Sequence, residues 1–217
     1  MELISSLRKN TLGISIFAIV TAGLIAVTQV LTKDTITENR RKEEASALYQ
    51  IIPKSNIDND LLSSKIYIPA PELGYETAGI YQAQKDDKVT AVILPVKTPD
   101  GYSGDISLIV GINADASVAG VRVLAHQETP GLGDKIDLKK SEWILSFNGK
   151  HLDGSIDTSW AVKKDGGQFD QFTGATITPR AMVGAVARAL QFFELNREEL
   201  LVVPELIASP PTREDAS

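Results

Sequence analysis

Residues 12–31 form the run L-G-I-S-I-F-A-I-V-T-A-G-L-I-A-V-T-Q-V-L, twenty positions without a charged side chain. Wound as a helix at about 1.5 Å per residue, the run reaches roughly 30 Å, the thickness of the hydrocarbon layer of a bilayer. A cleaved signal peptide has a core of about 7–15 apolar residues and ends at a small-residue cleavage site. This run is longer, and no convincing A-x-A follows it. The sequence therefore predicts one transmembrane anchor in a lipid bilayer, preceded by a short tail over residues 1–11. Its orientation stays open. Arg8 and Lys9 precede the span, while Lys33, Arg40, Arg41 and Lys42 follow it, and the acidic residues among the latter carry little weight in the charge rule.

The rest of the chain has to fold outside the bilayer. Hydrophobic residues make up 43% and charged residues 23% of the 217, the balance of a foldable chain rather than a disordered one. Beyond residue 44 there are 16 basic against 23 acidic residues, within a total net charge of −6. An acidic surface repels phosphate backbones, so nucleic acid is excluded as the expected partner. The absence of cysteine removes disulfides, thiolate-bound iron–sulfur clusters and thiol nucleophiles. His126 and His151 have no metal-ligand spacing. No G-x-G-x-x-G, phosphate-binding P-loop or G-x-S-x-G is present.

Residues 32–55 mix charges at helical spacing and predict a solvated helical stalk that ends near Pro53. Residues 57–71, broken by Pro69 and Pro71, read as a linker with a short helix at most. Four β-branched runs follow at 78–83, 89–96, 106–112 and 118–124, separated by turn residues. Such tight connections favour an antiparallel meander. Residues 139–147 read as helical and 158–162 as a further strand. A last helix is expected from Pro179 to about Asn196, with Thr178 as its cap. On it Met182, Val186, Ala189, Leu190 and Phe193 share one face. The predicted fold is α+β, an antiparallel sheet flanked by helices over residues 56–208, with a disordered tail over 209–217.

Three segments carry candidate chemistry. At 170–178, D-Q-F-T-G-A-T-I-T places a small-residue turn directly before a helix N-terminus, where backbone N–H groups and the helix dipole favour a phosphate. On local physics alone this is equally a plain capping turn. At 126–134, H-Q-E-T-P-G-L-G-D reads locally as a loop leaving a strand. At 101–104, G-Y-S-G reads as a hairpin turn.

Taken together, D-x-x-T-G-A-T, H-Q-E-T-P-G-L-G-D and G-Y-x-G, in one chain behind one anchor, resemble the G subunit of the Rnf ion-translocating electron-transport complex. Related domains occur in the C subunit of the sodium-pumping NADH:quinone oxidoreductase, but this chain is shorter and lacks room for large insertions. The resemblance implies an FMN group joined by a phosphoester to Thr176, installed by a flavin transferase that uses FAD as donor. It makes Asp170, Thr173, Gly174 and Ala175 the rest of the flavinylation motif, with Thr173 standing for a serine. It implies that Tyr102, Glu128, Thr129, Gly131, Leu132 and Thr178 border the cofactor, Tyr102 stacking on the ring and Leu132 covering a face. His126 is expected as a packed or surface residue. The function implied is that of an electron-relay subunit with no independent substrate turnover, working with integral membrane subunits that couple NADH–ferredoxin electron flow to ion transport. The domain would lie on the periplasmic face of the cell inner membrane. The alternatives are a membrane-anchored assembly module, in which T-G-A-T only caps a helix, and a flavin-based sensor.

Overall fold

A computed structural model describes residues 2–154 and 157–203, without the side chains of residues 2–9 and 40. The expected tail over 209–217 lies outside the described residues. The chain divides into two units, Met1–Glu44 and Ala45–Ser217. The first belongs to helix α1 (Glu2–Ile51), whose apolar residues from Leu12 to Leu31 are exposed, Phe17 and Ile19 by about 70%. Among the described residues this is the one helix long and apolar enough to cross a membrane.

The second unit is built on a five-stranded antiparallel meander in which every strand pairs with its neighbour in sequence: β1 (Lys65–Ala70), β2 (Tyr75–Lys85), β3 (Lys88–Gly101), β4 (Gly104–Asn113) and β5 (Val118–Ala125). The hairpin between β2 and β3 turns on Asp86 and Asp87, both at positive φ (51° and 57°). Positive φ at both central residues is the two-residue turn whose twist matches the strands it joins. Four of the strands follow the expected β-branched runs.

Alternation along the strands gives two buried faces. Ile80, Val92, Leu94, Val96, Leu108, Val110 and Val121 point to one side, where α2 (Ile177–Leu195) lies mainly on β3. Met182, Val186, Ala189, Leu190 and Phe193 are each at most 1% exposed, as their spacing predicted. Tyr81, Ala83, Ala91, Ile93 and Ile109 point to the other side, against Leu48, Ile51, Ile52, Ile57 and Leu61. The helical stalk was expected to be solvated to its end, but its last two turns enter the core. Their seat is a pair of glycines. Gly111 stands opposite Gly120 in the β4–β5 register, and Ile51 lies over both. A Cβ at Gly111 would come within 3.0 Å of the Ile51 side chain.

Four local expectations are corrected. Residues 65–70 form β1 rather than linker. Pro69 is tolerated because β1 is an edge strand and needs no ladder donor on its open side. Residues 139–147 are not one helix. Asp137 accepts the Lys139 N–H and Ser141 accepts the Trp143 N–H, so only Glu142–Phe147 winds, as a 3-10 turn. Residues 158–162 are turn rather than strand. Asp157 captures the Ser159 N–H, and only Val162 bridges, to Phe169. Helix α2 starts at Ile177 rather than Pro179, and Thr178 lies inside its first turn. Pro179 is harmless there because the first four N–H groups of a helix lack intrahelical partners.

Candidate functional site

The three motif segments meet at one end of the second unit. The first is the hairpin turn between β3 and β4. Gly101 pairs with Gly104, which leaves Tyr102 at the tip, 68% exposed. The second follows β5. The Thr129 carbonyl accepts the N–H groups of Leu132 and Gly133, each at 3.1 Å, and the Gly131 N–H donates to Asp134 Oδ1 at 2.7 Å. Gly131 has φ 79°, a left-handed conformation that suits glycine. The loop so folded holds Leu132 out, 42% exposed, while Thr129 and Gly131 are exposed beside it.

The third segment leads into α2. Phe172 is buried and packs edge-on against Trp143, with centroids 5.0 Å apart. The Trp143 Nε1–H donates to the Asp170 carbonyl at 2.7 Å, and the Ala175 N–H donates to the Phe172 carbonyl at 3.2 Å. Gly174 is exposed with φ 81°, and the Leu132 side chain lies 3.7 Å from where its Cβ would stand. Thr173 is exposed and Ala175 half-buried. Thr176 flanks the helix at φ −82°, ψ −26°. It is half-buried, and its hydroxyl makes no capping hydrogen bond. The Asp170 carboxylate is exposed and pairs with Lys163 at 2.6 Å.

One side chain ties the three segments together. Glu128 is 4% exposed. Its Oε1 accepts the Ser103 N–H at 2.9 Å, and its Oε2 accepts the Thr178 hydroxyl in a short bond. Thr178 is fully buried, so its hydroxyl serves this bond and not a helix cap. The carboxylate of Glu128 is thus turned into protein, while Tyr102, Thr129 and Leu132 stand at the surface. His126 accepts the Glu128 N–H on Nδ1 at 3.0 Å and is half-buried, which makes it a packing residue of this loop.

Sequence reasoning missed the partners of these residues. Ser103 acts through its backbone N–H, which no residue type advertises. Asp165 and Arg180 form a two-bond pair, both bonds 2.6 Å, on the solvent side of the first turn of α2. The hydrogen bonds from Arg180 hold the Asp165 carboxyl below the usual carboxylate range. Fifteen residues separate the two, so no local spacing signalled the pair.

The surface so assembled fits a flavin phosphate and ring. An uncommitted hydroxyl and an unhindered glycine stand at a helix N-terminus, which favours phosphate. Two exposed apolar side chains, Tyr102 and Leu132, stand on the neighbouring loops and can cover a planar ring.

Comparison with known proteins agrees. The FMN-binding domain family matches residues 101–191, which span all three segments, and the RnfG N-terminal region matches residues 1–51. The G subunit of the ion-translocating oxidoreductase complex of Vibrio vulnificus (strain YJ016) is 49% identical over 203 residues, 93% of this chain and 96% of that protein. The protein of the same name from Pseudomonas aeruginosa (strain UCBPP-PA14) is 48% identical over 202 residues, 92% and 94% of the two chains. That from Vibrio cholerae serotype O1 (strain M66-2) is 47% identical over 199 residues, 91% and 95%. Identity of this order along nearly the whole length, with both family regions in place, makes the chain a member of the G subunit family of ion-translocating oxidoreductase complexes.

Proposed function

We propose that this chain is the electron-relay subunit of a membrane-bound, ion-translocating oxidoreductase complex, and that it carries FMN as a phosphoester on Thr176. The observation that carries the reading is the convergence of G-Y-S-G, H-Q-E-T-P-G-L-G-D and T-G-A-T on one surface, with the Thr176 hydroxyl free of any capping bond. A flavin transferase supplies the group from FAD. The Thr176 oxygen forms a bond to the phosphorus on the FMN side of the pyrophosphate, the bond from that phosphorus to the bridging oxygen breaks, AMP leaves, and the hydroxyl proton is released. Attachment through the phosphate leaves the ring system unsubstituted, and the bound flavin supplies reversible electron acceptance and donation.

The chain's own residues hold and orient the group. The N-terminus of α2 faces the phosphate, Gly174 admits it close to the backbone, and Tyr102 and Leu132 flank the ring, with Thr129 and Gly131 at its edge. Asp170 serves recognition by the transferase. Residues 12–31 span the inner membrane once, α1 continues out of it to Ile51, and the second unit, which begins at Ala45, is the cofactor domain on the periplasmic side. There a covalent link keeps the flavin from diffusing away. The partners are the integral membrane subunits of the complex, which couple electron flow between NADH and ferredoxin to ion transport.

The test is the mass of the peptide that contains Thr176 after co-expression with a flavin transferase. The wild-type peptide gains one FMN through a phosphoester, and Thr176→Ala gains none. Because Thr176 caps nothing, the variant keeps its fold within about 1 kcal/mol. A wild-type peptide of unmodified mass, or an FMN on another residue, refutes the attachment.

A further inference from the structure

We infer that Glu128 is a positioning residue for the flavin acceptor: its buried carboxylate, acting through Thr178, holds the first turn of α2 so that Thr176 presents its hydroxyl for transfer. This rests on the assignment of Thr176 as the acceptor.

Glu128 is an unusual component of a core. It is 4% exposed, and no ion pair among the described residues involves it. Burying a carboxylate without a cation is costly unless hydrogen bonds and local dipoles replace its water. The bonds are in place: Ser103 N–H on one oxygen, Thr178 hydroxyl on the other. The first turn of α2 adds the positive end of a helix dipole. Room is made by two glycines. A Cβ at Gly101 would stand 2.9 Å from Oε1, and one at Gly133 would stand 2.6 Å from Oε2 and 2.9 Å from the Thr178 hydroxyl. Glycine at 133 is therefore explained by this carboxylate and its hydroxyl partner, while at 101 a Cβ would meet the Gly104 carbonyl before it met Oε1.

What the carboxylate controls follows from the helix it grips. The start of α2 has no side-chain cap and no acidic residue in its first turn. An uncapped helix end frays unless tertiary bonds hold it. Two such bonds are present. Arg180 binds Asp165 on the solvent side, and Thr178 binds Glu128 on the buried side. Thr178 is two residues from Thr176. On its other flank the T-G-A-T turn is fixed by Phe172 in the aromatic cluster with Trp143. Releasing Thr178 frees the side of the turn that bears the acceptor. A misplaced nucleophile lowers the rate of transfer more than it lowers binding of the donor.

The test uses the full chain in detergent with purified flavin transferase and FAD, and follows the FMN-bearing mass of Thr176 with time. Thr178→Val keeps the shape and removes the hydroxyl, and Glu128→Ala removes the carboxylate. Each is expected to lower the rate of transfer at saturating FAD by about tenfold or more with little change in KM for FAD. Thr178→Ser restores the hydroxyl and is expected to restore the rate to within about threefold of wild type. Adding Thr178→Val to Glu128→Ala should lower the rate little further, because Glu128→Ala has already broken the bond to Thr178 along with that to Ser103. Far-UV circular dichroism and the unfolding midpoint identify the folded fraction, to which rates are normalised. If folded Thr178→Val accepts FMN at the wild-type rate, Glu128 is a structural staple only and the positioning role is refuted, whatever becomes of Glu128→Ala. If the wild-type chain itself accepts no FMN on Thr176, the acceptor assignment fails and takes this role with it.

Discussion

The glycine pair beneath Ile51 allows a prediction of sign, order and coupling. A methyl group at Gly111 would stand within 3.0 Å of the Ile51 side chain, while one at Gly120 would stand 3.3 Å from it. Gly111→Ala therefore overpacks a closed site, and such insertions cost about 1–3 kcal/mol. Gly120→Ala requires a shift of only a few tenths of an ångström. It also gains about 0.4–1 kcal/mol from the reduced freedom of the unfolded chain, so it should be close to neutral. Ile51→Ala empties a site that is 7% exposed and costs about 2–5 kcal/mol. In the Ile51→Ala background, Gly111→Ala has nothing to strike and should cost nothing or help, a coupling of about 1–3 kcal/mol. Urea unfolding of the full chain in detergent, followed by the fluorescence of Trp143 and Trp160, reads all four values, since both indoles pack in the core of the second unit. If Gly111→Ala costs the same with and without Ile51, the end of α1 is not what the glycine accommodates, and its place in the core is refuted.

Two further outcomes follow from the site. Bonds from Arg180 depress the carboxyl of Asp165, so the pair stabilises the fold at pH values above the usual carboxylate range, and that stability is lost as pH falls through the lowered value. Asp165→Asn should thus lower the melting temperature at neutral pH, and the difference from wild type should close in strong acid. A difference that grows with acidity contradicts the sign. Tyr102→Ala and Leu132→Ala, at 68% and 42% exposure, should change stability by less than about 0.5–1 kcal/mol yet alter the fluorescence of attached flavin. Unchanged fluorescence in both removes them from the ring's surroundings.

Much of this architecture is written locally. The strands 78–83, 89–96, 106–112 and 118–124 alternate or run in β-branched residues between strong turns, and Met182, Val186, Ala189, Leu190 and Phe193 repeat at helical spacing. Strand β1 escaped because two prolines sit in or beside it, and only its edge position makes Pro69 acceptable. The end of α1 was misjudged because the charged run from Arg40 to Glu44 was read as continuing through Leu48 and Ile51, although residues 45–53 carry no charge. Nothing in their own segment reveals the glycine notch sixty residues away. The same holds at the site. The motif strings pick out three loops that the structure brings together, and the resemblance implied that Glu128 and Thr178 border the cofactor. The structure turns both side chains toward each other, because a buried hydroxyl and a buried carboxylate each need a partner.

The order of the sheet bears on when the T-G-A-T turn takes its shape. Each hairpin joins neighbouring strands over a short turn, whereas the bonds from Glu128 to Ser103 and Thr178 close stretches of 25 and 50 residues. Local contacts form early in folding, and distant ones form late because their closure entropy must be met first. The T-G-A-T string exists as soon as it is synthesised, but the bonds through Glu128 that hold the helix behind it are expected to form late. If attachment depends on those bonds, a flavin on Thr176 is also a timestamp: it marks the molecules that have finished folding.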